Sequence, residues 1–190
     1  MIVPDFAKSA GTLMAIGADQ VVMGDTSELG PIDPQVTVTD GDGNRTTQSI
    51  QAYLDAYEQL TARLQKDPDD IAARLEFNKL EPDRIVHFQA VKARARLFAE
   101  SQMQRGMCRE NGKHTSIATR LLDTKAWPGH GQVIDAEEAD RIGITVQRLL
   151  PSDPLWDSIW RLYCPQRLAV KDGEKLFESE YASLIVAAST

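Results

Sequence analysis

The first residues of the chain constrain the fold most, because strand, turn and helix signals follow one another within them. A short apolar segment runs into the turn Lys8-Ser9-Ala10-Gly11, and an apolar run of helical length, Thr12 to Ala18, follows at once. This order predicts a strand, a turn and a helix, with the Ser9 hydroxyl beside the helix N-terminus. Free backbone N–H groups and the helix dipole favour negative charge there, so Ser9 is a candidate nucleophile. The alternative is a turn serine that only caps the helix.

An acidic residue follows in a rigid connector. Gln20 to Met23 is predicted to form a second short strand, and residues 24–31 are rich in turn formers. Asp33 comes next, between Pro31 and Pro34, which restrict the backbone on both sides. The sequence therefore predicts a carboxylate in a stiff connector shortly after the first helix.

One of the three histidines has the context of an active-site loop. His130 lies between Gly129 and Gly131, and glycines on both sides permit unusual backbone angles and close approach of a substrate. His87 and His114 are predicted to lie on helices, where a lone histidine is more often structural. His130 is the preferred catalytic base, with His87 and His114 as alternatives.

The runs AKSAGTLMAIGAD, VVM and DTSELGPIDPQ together resemble the nucleophile region of the serine dehydrogenase proteinases. Those proteins are relatives of ClpP and of the signal peptide peptidase SppA in the ClpP/crotonase superfamily. The resemblance implies an α/β fold with repeated βα units and a helical middle segment. We expect residues 1–150 to form that domain, with its N-terminal part missing, and residues 151–190 to add a helix and a hairpin.

The resemblance also implies the roles of four residues, since this family is described with the chain order Ser, Asp, His. Ser9 would attack a peptide carbonyl and form an acyl-enzyme, His130 would take the Ser9 proton, and Asp33 would hold the imidazole tautomer. The N–H of Ala10, immediately after the nucleophile, would stabilise the oxyanion. These roles imply a serine endopeptidase that acts on peptides or proteins and uses no cofactor or metal.

Three other interpretations stay open. Proteins that resemble this family have upstream βα units with a Gly-Gly turn for the oxyanion hole, and the absence of any Gly-Gly pair here favours a non-catalytic assembly module. SppA-type enzymes use a serine–lysine dyad, but residues 47–51 of the corresponding helix contain no lysine, and Lys8 should point away from Ser9. The third interpretation is acyl-CoA chemistry of the crotonase kind.

Hydrophobic periodicity and turn residues predict the helices and strands in the rest of the chain. Helices are predicted over residues 47–65, 71–80, 83–107, 113–123 and 155–163, with a short one between Asp135 and Gly143. A strand is predicted over 36–39 with a turn at 40–44, a hairpin over 168–179 around Asp172-Gly173, and a final strand over 184–188. Trp156 and Trp160 are predicted to lie in the core, with an oligomer contact as the alternative.

Composition limits the partners. The chain has 21 basic and 28 acidic residues, and a net charge of −7 argues against binding to nucleic acid or an anionic membrane. Cys108 and Cys164 form no motif and are expected to be free thiols in a reducing cytosol. No apolar run reaches the roughly 18 residues of a membrane span, and no leader is recognised, so we expect a soluble cytoplasmic protein. The edge of the final strand needs covering, which favours a homo-oligomer.

Overall fold

The chain combines several helices with small sheets of short strands, which confirms the predicted α/β class. The computed structural model describes residues 1–39, 43–123, 125–127, 129, 131–171 and 173–187. The strands are β1 (Ile2–Val3), β2 (Phe6–Ala7), β3 (Val21–Met23), β4 (Glu28–Leu29), β5 (Gln35–Thr39), β6 (Arg45–Ser49), β7 (Val146–Arg148), β8 (Glu174–Glu178) and β9 (Ser183–Ala187). The helices are α1 (Ala10–Ala15), α2 (Ile50–Lys66), α3 (Ile71–Phe77), α4 (Pro82–Arg105), α5 (His114–Leu121), α6 (Ala136–Arg141) and α7 (Pro154–Ala169).

Parallel pairing determines how the first residues fold. Strands β1, β3 and β7 form a sheet in the order β1-β3-β7, in which Val3 pairs with Met23 and Val22 pairs with Gln147. Strand β2 pairs in parallel with β4, with Phe6 opposite Glu28. Parallel neighbours need a crossover connection, and α1 lies in the connection between the first two strands and β3. The predicted order of strand, serine turn, helix and strand is therefore confirmed.

The main core packs helices against the central strand. All three residues of β3 are buried, and Met23 is among the largest fully buried side chains. The end of α4 contributes Met103, and α5 contributes Ile117 and Leu121 to the same cluster. Fully burying an aliphatic side chain of this size contributes about 1.5–3 kcal/mol, so this cluster stabilises the strands that carry the Ser9 turn.

A second cluster joins α2 to α4. Ile50 and Leu54 of α2 pack against Ile85 and Phe88 of α4, and the rings of Tyr53 and Phe88 meet edge to face at 5.2 Å. The helix starts at Ile50, three residues later than predicted, because residues 45–49 pair with β5 as an antiparallel strand. Residues 40–42 of the predicted turn lie outside the described residues.

The region after β7 differs from the prediction. Helix α7 continues through Pro165 to Ala169, and β8 pairs with β9, so the predicted hairpin over residues 168–179 is wrong. Asp172 of that hairpin lies outside the described residues. A strand is present near the end of the chain as predicted, as the partner of β8. Trp156 is 4% exposed and packs with Val22, so its predicted core position is confirmed.

The helix boundaries around residue 140 follow from two local signals. The side chain of Asp135 accepts a hydrogen bond from the Glu138 N–H at 2.8 Å, and Gly143 adopts φ 102° just after the helix. Both features match the predicted N-cap and the predicted glycine stop. Among the helices that the structure describes, none combines the length and the apolar character that a membrane crossing requires.

Candidate functional site

Ser9 occupies a strained turn between β2 and α1. Its backbone has φ 53° and ψ −108°, and within the described ranges no other non-glycine residue has a positive φ. Such angles cost a non-glycine residue about 1–3 kcal/mol, so the surrounding contacts must hold the turn in place. Ser9 stands at the N-cap position of α1, but its side chain makes no capping hydrogen bond. The alternative of a serine that only caps the helix therefore does not describe this turn.

The backbone N–H groups of Ala10 and Gly11, which follow Ser9, differ in their hydrogen bonding. The Gly11 N–H donates to the carbonyl of Lys8 at 2.8 Å, which closes the turn. Ala10 is the first residue of α1, so its N–H has no partner within the helix, and the residue is exposed. The Ala10 N–H is thus the group next to Ser9 that is available to an incoming oxygen.

Thr12 ties α1 to the connector that leads to Asp33. Its buried hydroxyl oxygen lies 2.8 Å from the carbonyl oxygens of Ala7 and Gly30 and accepts the Gly30 N–H at 3.1 Å. Gly30 also packs closely on Lys8, since a Cβ at Gly30 would lie 3.1 Å from the Lys8 Cβ. The connector therefore starts in contact with the residue that precedes Ser9.

Asp33 lies three residues further along this connector, and at most about 11 Å of chain separates it from Gly30. It is 8% exposed, and the Ser49 hydroxyl donates to Asp33 Oδ1 at 2.7 Å. The N–H of Ile32 donates to the carbonyl of Leu121 at 2.9 Å. The predicted orienting carboxylate is thus held between the start of α2 and the end of α5.

The loop after α5 returns to the Ser9 turn. The Lys8 ammonium donates to the carbonyl oxygen of Gly131 at 2.8 Å and pairs with the Glu28 carboxylate at the same distance. Further along, Leu29 and Ile134 exchange backbone hydrogen bonds of 2.9 and 3.0 Å. His130 lies outside the described residues. The segment that follows it is anchored to the residue next to Ser9, so the structure brings together the Ser9 turn, the Asp33 connector and Gly131.

The alternatives for the base are placed elsewhere. The Lys8 ammonium is occupied by Glu28 and the Gly131 carbonyl, which gives this lysine a structural role and leaves no sign of a dyad. His114 Nε2 lies 2.8 Å from the Gln104 amide nitrogen, and His87 is exposed on α4 beside Phe88. Within the part of the chain that the structure describes, no hydrogen bond joins His87 or His114 to Ser9 or Asp33.

The residues that hold the site together were not among the predicted site residues. Thr12 was part of an apolar helical run, and its signal was a single hydroxyl on the buried side of that run. Ser49 fell in the first turn of the helix predicted over residues 47–65, whereas it is the N-cap of the helix that starts at Ile50. For metal binding, the described residues contain no group of three or more His, Cys, Asp or Glu side chains that could hold an ion.

Comparison with known proteins adds a relative. No family model matches the chain, and no solved structure matches it significantly. The chain is similar to an uncharacterized protein of Methanocaldococcus jannaschii, with 28% identity over 153 residues that cover 80% of this chain. It spans 45% of that protein's length. Because the relative is itself uncharacterized, function has to be inferred from the geometry of the site.

Proposed function

We propose that this chain is a serine hydrolase of the ClpP/crotonase kind that cleaves peptide bonds through an acyl-enzyme on Ser9. The observation that carries the proposal is the strained Ser9 backbone at φ 53°, together with a side chain that makes no capping bond. Strain of this kind concentrates at active sites, where surrounding contacts keep a residue in a reactive position. A serine with a purely structural role would gain from the capping bond that Ser9 lacks.

The chemistry follows from the groups around the turn. The Ser9 oxygen attacks the peptide carbonyl carbon, and His130 accepts the hydroxyl proton. The carbonyl oxygen becomes an oxyanion that accepts a hydrogen bond from the Ala10 N–H. His130 then donates the proton to the leaving nitrogen, and the tetrahedral intermediate collapses to release the amine. Water then attacks the acyl-enzyme with the same proton transfers and releases the acid. Asp33, held by Ser49, orients the imidazole.

The anchoring contacts support these roles. Thr12 holds the start of the Asp33 connector against α1, and Lys8 joins the Ser9 turn to Gly131. Productive catalysis needs reacting groups fixed within a fraction of an ångström, and such buried or ion-paired links restrict the segments that carry them. The runner-up function is a non-catalytic assembly module of the same fold.

Labelling with a fluorophosphonate probe tests the proposal. We expect the intact chain to be labelled and Ser9→Ala to lose the label. Ser116→Ala is the matched control, because Ser116 is an exposed serine on α5 whose hydroxyl donates to the Lys113 carbonyl of its own helix start. Circular dichroism on all three proteins checks that they are folded. Equal labelling of Ser9→Ala would mean that another residue reacts with the probe and would overturn the role of Ser9. A folded wild-type chain that takes no label would overturn the hydrolase proposal and favour the assembly module.

A further inference from the structure

The hairpin of β8 and β9 is a sheet of only two strands. The strands pair residue to residue, from Glu174 opposite Ala187 to Glu178 opposite Ser183, and no third strand joins them among the described residues. Two strands alone are marginally stable in water, and a further strand or a packed face is normally needed. The other antiparallel pair, β5 and β6, has such a face, because Val36 packs against the cluster between α2 and α4.

Strand β8 carries the contacts that hold the hairpin to α7. The Glu174 carboxylate accepts the backbone N–H of Lys171 at 2.9 Å, and Glu178 accepts the side-chain amide of Gln166. The residues that line the space between α7 and the hairpin include all of β8 and none of β9. Within the described ranges, backbone hydrogen bonds join β9 to β8 and to no other strand. The outer edge of β9 is therefore open to another chain.

This outer edge lacks the features by which proteins protect a strand. The five residues of β9 include no charged residue and no proline, and the pairing with β8 contains no bulge. Leu184 and Ile185 point to opposite faces of the hairpin and are 56% and 47% exposed. An uncharged apolar edge with unpaired N–H and C=O groups readily accepts another strand.

The charges of the hairpin select which edge can pair with a second copy. An antiparallel pair of β9 strands centred on Ile185 sets Ser183–Ala187 against the same residues in reverse order, and no charge lies opposite another. The same arrangement of β8 about Leu176 would set Glu174 opposite Glu178 at both ends. Like charges directly opposite each other are destabilising. Self-pairing is therefore disfavoured along β8 and permitted along β9.

We infer that β9 is a docking surface for a second copy of this chain. The two β9 strands pair in antiparallel orientation about a two-fold axis at Ile185 and form a sheet of four strands in the order β8-β9-β9-β8. Leu184 lies opposite Phe177 within the hairpin, and in the dimer it also lies opposite Val186 of the second copy. The exposed apolar residues of the two hairpins thus become one continuous stripe. This contact is independent of the proposed hydrolase function.

Sedimentation velocity of the full chain at increasing concentration tests the inference. We expect a dimer whose fraction rises with concentration. Ile185→Lys places two ammonium groups at the two-fold axis and should raise the Kd of the dimer by about tenfold or more. Leu75→Lys is the matched control, because Leu75 is 62% exposed on α3, outside the hairpin, and its replacement should leave the Kd unchanged. Circular dichroism checks that each protein is folded.

Mixing Ile185→Lys with Ile185→Glu distinguishes a lost contact from a damaged hairpin. Each variant alone sets like charges opposite each other, whereas the mixed dimer sets an ammonium opposite a carboxylate. We therefore expect the mixed dimer to have a Kd about tenfold lower than the dimer of either variant alone. A hairpin that had merely unfolded would gain nothing from mixing.

Four results would overturn the inference. They are a wild-type chain that stays monomeric up to roughly 100 μM, equal dimerisation of Ile185→Lys and wild type, no gain on mixing, and assemblies that keep growing with concentration. The last result would mean that β9 pairs head to tail with β8 of the next copy, a contact that does not close. Ser9→Ala should dimerise as the wild type does, so failure of fluorophosphonate labelling would leave this inference intact.

Discussion

The hydroxyl of Ser49 donates a hydrogen bond to Asp33 Oδ1 across 2.7 Å, and its oxygen accepts the N–H of Ala52 at 3.3 Å. One side chain therefore caps α2 and positions the carboxylate of the connector. This link explains how a residue in a proline-flanked segment keeps a defined orientation beside the start of a helix.

Replacing Ser49 by alanine removes both hydrogen bonds. We expect Ser49→Ala to lower the free energy of unfolding by about 1–2 kcal/mol, since an N-cap alone contributes about 0.5–2 kcal/mol. Ser49→Thr retains the hydroxyl and should lose less than half of that. Urea unfolding measures both changes. Ser158→Ala is the control, because that hydroxyl donates to the Pro154 carbonyl within α7. An equal loss in the control would contradict the special role of Ser49.

Thr12→Val tests the link between α1 and the connector. Valine has nearly the same shape, so the change removes the hydroxyl that serves the Gly30 N–H and carbonyl and leaves these groups without it. We expect a loss of about 1–3 kcal/mol in the free energy of unfolding, the cost of a buried polar group left unpaired. Thr115→Val, at an exposed position of α5, should change stability by less than about 0.5 kcal/mol. A Thr12→Val protein as stable as the wild type would show that the buried hydroxyl contributes nothing.

Because the Ser9 backbone is strained, we expect glycine at this position to be more stable than alanine. Glycine normally destabilises a position by about 0.5–1 kcal/mol relative to alanine, but at φ 53° it relieves the clash of the Cβ. We therefore expect Ser9→Gly to unfold at a higher urea concentration than Ser9→Ala, while neither takes the fluorophosphonate label. The same pair at Ser116, within helix α5, should show the ordinary order. If Ser9→Gly is the less stable of the two, the backbone at Ser9 is not strained.

Local signals explain which parts of the fold could be predicted. The strand, turn and helix around Ser9 depend on neighbours within a few residues, as do the Asp135 cap and the Gly143 stop, and all of them were predicted. The start of α2 was not, because residues 45–49 pair with residues 35–39 as antiparallel strands, and this pairing overrides the helical pattern of the segment. Whether residues 45–49 form a strand or the first turn of a helix is therefore decided by their pairing with another segment.

At the end of α7, the predicted helix was shorter than the observed one. The sequence predicted a helix that ends at Tyr163 and a hairpin around Asp172-Gly173, and proline inside a helix is normally disfavoured. The helix instead continues through Pro165, and Tyr163 is held by a hydrogen bond to Asp5, 158 positions earlier. In the candidate site, the residues with chemical roles could be proposed from local pattern and resemblance. The residues that hold them, Thr12 and Ser49, make contacts that no local pattern contains.

Cysteine reactivity tests the core around α5. Cys108 is 2% exposed, and burial raises the pKa of its thiol, an effect that the charge of Lys113 partly offsets. Cys164 is exposed. Because the thiolate is the reactive form, we expect a maleimide at neutral pH to modify Cys164 quickly and Cys108 only after unfolding in urea. Mass spectrometry counts the adducts, and Cys164→Ser should take none while folded. Fast modification of folded Cys164→Ser would contradict the burial of Cys108.

Tyr163 joins α7 to the start of the chain, and its ionisation should report that contact. Burial and the hydrogen bond to Asp5 Oδ2 at 2.7 Å raise the pKa of Tyr163 from 10.0 to about 12. The fold favours the neutral phenol, so its contribution to stability is complete below pH 10 and is lost as the pH rises from 10 through 12. We expect the stability difference between wild type and Tyr163→Phe to be constant near neutral pH and to shrink across that interval.

Spectrophotometric titration of the wild type and of Tyr163→Phe should differ by one tyrosine that ionises near pH 12. Asp5→Asn removes the negative charge, so the pKa of Tyr163 should fall in that variant; a difference curve centred near pH 10 in the wild type would mean that the bond to Asp5 does not form in solution.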